Sequence, residues 1–352
     1  MAKSVLVIGG GPAGLAAART LGRLGIHTIL VEKEGKLGGR PILEEYHTLI
    51  PRKMKPQQVL GPFIEEVQNN PNVEVKLNTE IEACEGEAPN FKVKLSNGET
   101  VEVGAIVVAT GFQHFDARRK GELGYGIYPD VITNLELEQM FSREGRLYRP
   151  SNGELPKRVA FVFCVGSRDR QLGVTNVHCC RYGCALSGLQ GSEIKEKYPE
   201  VEVFCYYMDV RTYGTWEYPF YWAPQEKYGV RYVRGRIAEI TYSPKDGRLR
   251  VKHEDTIVQR PAEIPMDLVV LVLGMEPSEG TKKVAKILGL AQDPDSQFLV
   301  PAQDSGSNII SNRPGVFIAG ACKGPIDIES ALAEGEAAGA EAAMFIGAKV
   351  SV

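Results

Sequence analysis

The sequence predicts an α/β protein in which one dinucleotide-binding unit is split by a second, inserted unit of similar build. Three observations point there. At about 150 residues per domain, 352 residues make roughly two domains. The first 32 residues read strand, glycine turn, helix, strand, acid, which is the order of a βαβ nucleotide-binding unit. A fresh strand at residues 158–163 opens behind Pro156, and the apolar run Leu268–Leu273 follows a Pro-containing stretch at 261–265, as if returning to the first unit.

The layout follows from these punctuation marks. Residues 1–112 form the first part of the nucleotide-binding domain. Residues 113–155, rich in Gly, Tyr and Pro, connect it to an inserted Rossmann-like domain at 156–262, and residues 263–352 complete the first domain. Each half opens with a strand and a turn, as distant structural repeats do.

Composition removes several function classes. Hydrophobic residues make up 43% of the chain, and 41 basic residues face 44 acidic ones for a net charge of −3. That balance gives no electrostatic reason to expect nucleic acid or an anionic membrane surface as partner. The longest apolar runs fall far short of the roughly 18 residues of a membrane helix. The opening MAKSVLVIGGG has no signal-peptide pattern, so a soluble, cytoplasmic protein is expected.

The first motif assigns a task to each residue. The strand at 3–8 leads into Gly9-Gly10-Gly11-Pro12-Ala13-Gly14, then a helical run ending near Gly25, a second strand at 27–31 and Glu32. Gly9 permits the tight turn, Gly11 lets backbone approach a pyrophosphate, and Gly14 lets helix pack on strand. The helix start presents free N–H groups to phosphate, and Glu32 accepts from ribose hydroxyls. A glycine-rich structural turn is the alternative.

Further turns resemble the flavin disulfide-reductase-like superfamily. Glu32-Lys33 followed by Leu37-Gly38-Gly39-Arg40 is similar to its second FAD-contacting turn, and Val107-Val108-Ala109-Thr110-Gly111 to its "ATG" strand end. Gly315-Val316-Phe317-Ile318-Ala319-Gly320 resembles the C-terminal motif that closes its flavin site. The resemblance implies FAD as the bound dinucleotide, with Ile81 and Ala321 at the site. The superfamily has Asp after that last Gly, where this chain has Ala321 and Cys322. Lys323 is either a charge that stabilises reduced flavin or a solvated lysine. Asp327 caps an Ala/Glu-rich helix at 328–346, whose start at Ile328 the resemblance aims at the flavin pyrimidine ring.

The second unit lacks a second G-x-G-x-x-G. Its first strand runs into Cys164-Val165-Gly166-Ser167-Arg168-Asp169, so a nicotinamide nucleotide loses its backbone cradle there. A long loop to the next helix holds more cysteines. Of seven Cys, four (Cys164, Cys179, Cys180, Cys184) fall within residues 164–184, where even scattering would put about 0.4. No C-x-x-C is present, which disfavours a thioredoxin-type dithiol. With a helix over 181–190, Cys180 and Cys184 share one face, while Cys164 sits at a strand end. Four soft ligands suit an iron–sulfur cluster or zinc, and buried or redox thiols remain the third reading. His178 is a substitute ligand or a surface histidine. Cys84, Cys205 and Cys322 read as buried small hydrophobes.

At CVGSRD and CCxxxC the chain resembles the flavoprotein A-type component of heterodisulfide reductases. So do Asp209-Val210-Arg211-Thr212-Tyr213-Gly214, residues 229–236, residues 124–134 and Gly324-Pro325, nearly end to end. The resemblance implies FAD plus a 4Fe–4S cluster on Cys164, Cys179, Cys180 and Cys184. It also implies electron exchange with iron–sulfur B- and C-type subunits, and a homodimer. Without C-x-x-C-x-x-C ferredoxin runs, this form is similar to the A-type component of Hdr-like complexes of sulfur oxidisers. No side chain is assigned as catalytic acid or base. An NAD(P)H-dependent FAD disulfide oxidoreductase, or an FAD-binding assembly protein with structural zinc, are the rival readings. Nine aromatics at 206–228 read as core or dimer interface, or as a partner or flavin-adjacent surface.

Overall fold

The computed structural model describes residues 4–170, 176–257 and 259–347. Lys3, where the first strand is expected to open, and part of the loop between Cys164 and Cys179 lie outside them. The chain divides into two compact units, Met1–Gln113 with Glu276–Val352, and His114–Met275.

The first unit is built on five parallel strands in the order Val316–Ile318, Ala105–Val108, Val5–Ile8, Thr28–Val31, Val73–Lys76. The central strand, Val-Leu-Val-Ile, is fully apolar because both of its faces are covered. On one face lie helices Pro12–Arg23 and Ile328–Phe345, packed through small residues. A Cβ on Gly335 would fall 2.1 Å from the Ala13 carbonyl oxygen. On the other face, an antiparallel sheet of Ile81–Glu85, Phe91–Leu95 and Thr100–Val103 and the helix Glu279–Leu288 bury Leu6, Ile8, Phe91, Val93 and Leu288 in one cluster. Phe91 is fully buried, so truncation to Ala costs about 3–5 kcal/mol.

The second unit has its own parallel sheet, ordered Arg231–Arg234, Glu202–Tyr207, Arg158–Val165, Leu268–Leu273, Val131–Thr133, with helix Gly183–Lys197 packed against it. Two sequence expectations are corrected here. Leu268–Leu273 does not return to the first unit but pairs in parallel with Arg158–Val165. Buried Asp267 pins it there, accepting the Lys157 and Arg158 N–H groups at 2.8 Å each and the Arg248 guanidinium. The connecting stretch is likewise part of the second unit. Its Val131–Thr133 is an edge strand, and a capping box starts helix Asn134–Glu144, with Thr133 Oγ1 taking the Glu136 N–H and the Glu136 carboxylate taking the Thr133 N–H. Arg260–Met266 is the edge strand of a three-stranded antiparallel sheet, where proline costs no ladder bond. No helix of the described residues is long and apolar enough to cross a membrane.

Candidate functional site

At the C-terminal ends of the first unit's parallel strands lies a cavity of about 470 Å³. Crevices at these strand ends are where open α/β sheets bind ligands. Two helix starts border it, Pro12-Ala13 and Asp327-Ile328. At the first, Gly11 caps Pro12–Arg23 without a side chain, and the first turn carries no acidic residue. That end is therefore open to an anion. At the second, Asp327 caps its own helix, accepting the Ser330 N–H at 2.9 Å.

The glycines divide by task. Gly9 has φ of +105°, and a Cβ there would meet the Ala109 carbonyl oxygen at 2.4 Å. A Cβ on Gly11 would approach nothing nearer than 3.8 Å, so its space opens on the cavity. Glu32 is buried at the end of Thr28–Val31, its carboxylate held by the Gly10 N–H at 2.6 Å and the Glu34 N–H at 2.9 Å. It faces the cavity already oriented.

Most of the expected residues line this one space: Gly9, Gly11, Pro12, Ala13, Glu32, Lys33, Gly39, Arg40, Ile81, Ala109, Thr110, Gly111, Ala321, Asp327 and Ile328. Arg40 is held by the Phe112 carbonyl at 2.5 Å and by Glu44. Four others stand behind the wall. Gly14 packs on Gly9, Gly38 donates to the Gly10 carbonyl at 2.8 Å, and Gly320 donates to Glu334 at 2.9 Å. Lys323 does not face the cavity: its ammonium binds Glu334 at 2.9 Å and the Asn308 carbonyl at 2.6 Å. Sequence reading missed Ser278, Thr281 and Lys283. Ser278 Oγ donates to the Thr110 carbonyl at 3.0 Å and Thr281 Oγ1 to the Gly111 carbonyl at 3.0 Å, fixing that wall, while Lys283 lines the cavity. The signal was a Ser-x-x-Thr helix start, which looks the same at any cap.

In the second unit the two cysteine segments are drawn together by backbone. Arg168 N–H donates to the His178 carbonyl and Asp169 N–H to the Asn176 carbonyl, both at 2.9 Å. Cys164 lies where the register of its strand shifts, with φ of +61°. Such a bulge re-aims a side chain. The expected helix over 181–190 begins later, at Gly183, because Arg181 is left-handed at φ +61°. Cys180 thus reaches its neighbours by a turn, and only Cys184 stands in the helix's first turn. His178 turns its Nε2 to the Met275 carbonyl at 2.8 Å.

The four sulfurs influence one another electrostatically. A hydrogen bond from the Cys180 thiol, aided by the Arg181 N–H and the Arg211 and Arg168 charges, brings the Cys179 thiol down to about 6. The shared proton and burial push Cys180 up, and burial raises Cys164 and takes Cys184 to about 12. Among the described residues, no three His, Cys, Asp or Glu side chains close on a point suited to one metal ion.

At the second unit's own strand ends two small spaces adjoin. One, of about 50 Å³, is bordered by the buried Lys120–Asp169 ion pair at 2.9 Å, and the other, of about 280 Å³, lies over Tyr207, Met208 and Arg234. Phe115 lies over Gly166, 2.0 Å from where a Cβ would stand.

Residues 3–140 match the pyridine nucleotide-disulphide oxidoreductase family. The chain is 32% identical to an A-type iron-sulfur component of the CoB–CoM heterodisulfide reductase of Methanopyrus kandleri, over 97% of this chain and 64% of that protein. It is 33% identical to the A-type component of the H2:CoB-CoM heterodisulfide,ferredoxin reductase of Methanothermobacter thermautotrophicus, over 96% and 63%. For the A-type component of the ferredoxin/F420H2-dependent CoB-CoM heterodisulfide reductase of Methanosarcina acetivorans the figures are 32%, 98% and 53%. The chain thus spans between half and two thirds of the length of these relatives. In fold it is similar to T. acidophilum thioredoxin reductase, with a TM-score of 0.66 at 17% identity over 97% of this chain and 98% of that one. Lactococcus lactis thioredoxin reductase gives 0.65 at 16%, over 98% and 99%. The chain has the two-unit α/β fold of these thioredoxin reductases, and nearly its whole length is similar to part of the heterodisulfide reductase A-type components.

Proposed function

We propose that this chain is the FAD- and iron–sulfur-carrying electron-transfer component of a heterodisulfide-reductase-like complex that works in sulfur-compound oxidation. The observation that carries the reading is the pairing of an open dinucleotide cavity in one unit with four mutually interacting cysteines in the other. Flavin, when bound, exchanges electrons in pairs or singly, and a 4Fe–4S cluster passes them singly.

The residues fit both groups. The uncapped start of Pro12–Arg23 and the room above Gly11 suit a pyrophosphate, and Glu32 offers carboxylate oxygens to a ribose. Ala321 stands at the cavity where the superfamily that the chain resembles has an aspartate. For the cluster, four thiols come from two segments, with N–H groups of Arg181 and Arg211 directed at Cys179 and Cys184. Such N–H···S bonds tune a cluster's potential. Three of the four thiols stay protonated without a cation, so loading releases protons.

Partners under this reading are iron–sulfur B- and C-type subunits and a second copy of the chain, in the cytoplasm. The Methanopyrus relative is named for its iron and sulfur, which supports the cluster. The test is a visible spectrum of anaerobically purified protein with iron, zinc and sulfide assays. Flavin bands with broad cluster absorbance and about four iron per chain are expected. Stoichiometric zinc without sulfide would overturn the reading in favour of an assembly protein.

A further inference from the structure

Four thiolate ligands carry negative charge, and an electron taken up by a cluster adds one more unit. Something in the chain must balance that charge, and Arg168 is placed to do it. It stands four residues after Cys164, and its backbone N–H reaches the carbonyl of His178, the neighbour of Cys179, at 2.9 Å. Its φ of +54° lies in the left-handed region, where an arginine stays only if its surroundings hold it. Backbone thus fixes Arg168 between the two cysteine segments.

The side chain is fixed as well. The guanidinium forks onto the Asp209 carboxylate, Nη1 to Oδ1 and Nη2 to Oδ2, the second bond at 3.2 Å. A planar pair of this kind sets the direction of an arginine. Its charge acts on two of the four sulfurs. Burial raises the Cys164 thiol and the Arg168 charge opposes that rise. At Cys179 the same charge adds to the Cys180 hydrogen bond that brings this thiol to about 6.

The neighbouring charges decide the sign. Arg211 also binds Asp209, at 3.4 Å, so two guanidiniums surround one half-exposed carboxylate and one positive charge is left over. The Arg168 side chain is 20% exposed against 48% for Arg211, and water and salt screen the second more than the first. Asp169, the next acid along the chain, is turned to the Lys120 ammonium at 2.9 Å.

We propose that the Arg168 charge stabilises the reduced form of the cluster, and that Asp209 holds the guanidinium in place while offsetting part of its charge. The proposal rests on the iron–sulfur reading of the four cysteines. It gives the two residues opposite signs. Without the Arg168 charge the cluster is harder to reduce, and without the Asp209 charge it is easier. A merely structural role for the pair would not separate them.

The test is an anaerobic dithionite titration of the purified protein. The reduced cluster is followed by electron paramagnetic resonance, and iron, sulfide and FAD are assayed on each sample. At the potential where half of the wild-type cluster is reduced, Arg168→Gln should lower the reduced-to-oxidised ratio about fivefold, the size expected of one partly screened charge. Asp209→Asn should raise the ratio. Arg168→Lys keeps the charge and should stay within about twofold of wild type. Arg211→Gln should lower the ratio less than Arg168→Gln does. Equal ratios in all variants, shifts of the same sign in Arg168→Gln and Asp209→Asn, or a larger effect from Arg211→Gln overturn the assignment. If Arg168→Gln does not hold iron, Asp209→Asn decides alone, and a ratio at or below wild type overturns it. Iron-free wild-type protein removes the cluster reading and this inference with it, whereas a full cluster with unmoved ratios overturns the inference alone.

Discussion

The carbonyl oxygen of Gly9 would lie 1.8 Å from a Cβ on Gly14, whereas a Cβ on Gly11, between them, would meet nothing nearer than 3.8 Å. One motif therefore holds a structural glycine and a ligand glycine. Gly14→Val should fail to pack helix on strand, at a cost of about 3 kcal/mol, and give little folded protein. Gly11→Val should fold, with wild-type circular dichroism, but purify without flavin. Retention of one FAD per chain in Gly11→Val would show that the pyrophosphate lies elsewhere.

The cysteines separate in the same way. Serine oxygen is a poor iron ligand beside sulfur. Cys180→Ser should lose most iron, sulfide and cluster absorbance while keeping near-normal FAD, because the cavity residues all lie in the other unit. Cys205→Ser, buried outside the set, should keep both. The readout is iron, sulfide and flavin per chain, and equal iron in the two variants refutes the ligand assignment.

Reductant choice follows from the turn after Phe163, where Cys164 stands in place of a glycine and Phe115 lies over Gly166. No glycine cradle is left for a pyrophosphate, and neither strand-end space, of about 50 and 280 Å³, reaches the roughly 300 Å³ at which pockets for drug-sized ligands begin. NADH and NADPH should reduce the flavin very slowly, and dithionite readily. Anaerobic stopped-flow at the flavin band measures both, and fast stoichiometric bleaching by NAD(P)H contradicts the expectation.

His253 carries a pH dependence. Its ring is 4.8 Å from that of Tyr206 inside the second unit, and burial holds its pKa below 6.5. The unfolded chain therefore takes up this proton at higher pH than the folded one. Stability from the neutral ring is complete above about pH 6.5 and is lost as pH falls below it. Urea midpoints should drop between about pH 7 and 5, and less steeply in His253→Phe. Parallel pH profiles for the two proteins would exclude His253 as the cause.

The nucleotide turn was legible because its residues act within a few positions of one another: Gly9, Gly11, Gly14 and Glu32 each have a task set by local geometry. The cysteine cluster was legible by density alone. Its geometry was not, since spacing suggested a shared helical face and the left-handed Arg181 delays the helix to Gly183. Leu268–Leu273 was assigned to the wrong sheet because a strand apolar on both faces reads alike in either one. Only Asp267, binding residues about 110 positions earlier, decides the matter, and that partnership has no sequence signature. Lys323 shows the converse. Its position beside the Gly320 turn suggested a role at the ligand, and Glu334, eleven residues on, takes its charge instead.

The cavity walls run from Ile8 to Ala331, with the whole second unit encoded between them. During synthesis the second unit leaves the ribosome complete while the first still lacks its Val316–Ile318 strand and its last helix. Cofactor capture is consequently a late event in the life of each chain. A nascent chain has no finished pocket to fill, and a product truncated before residue 331 is born without one, whatever the flavin supply of the cell.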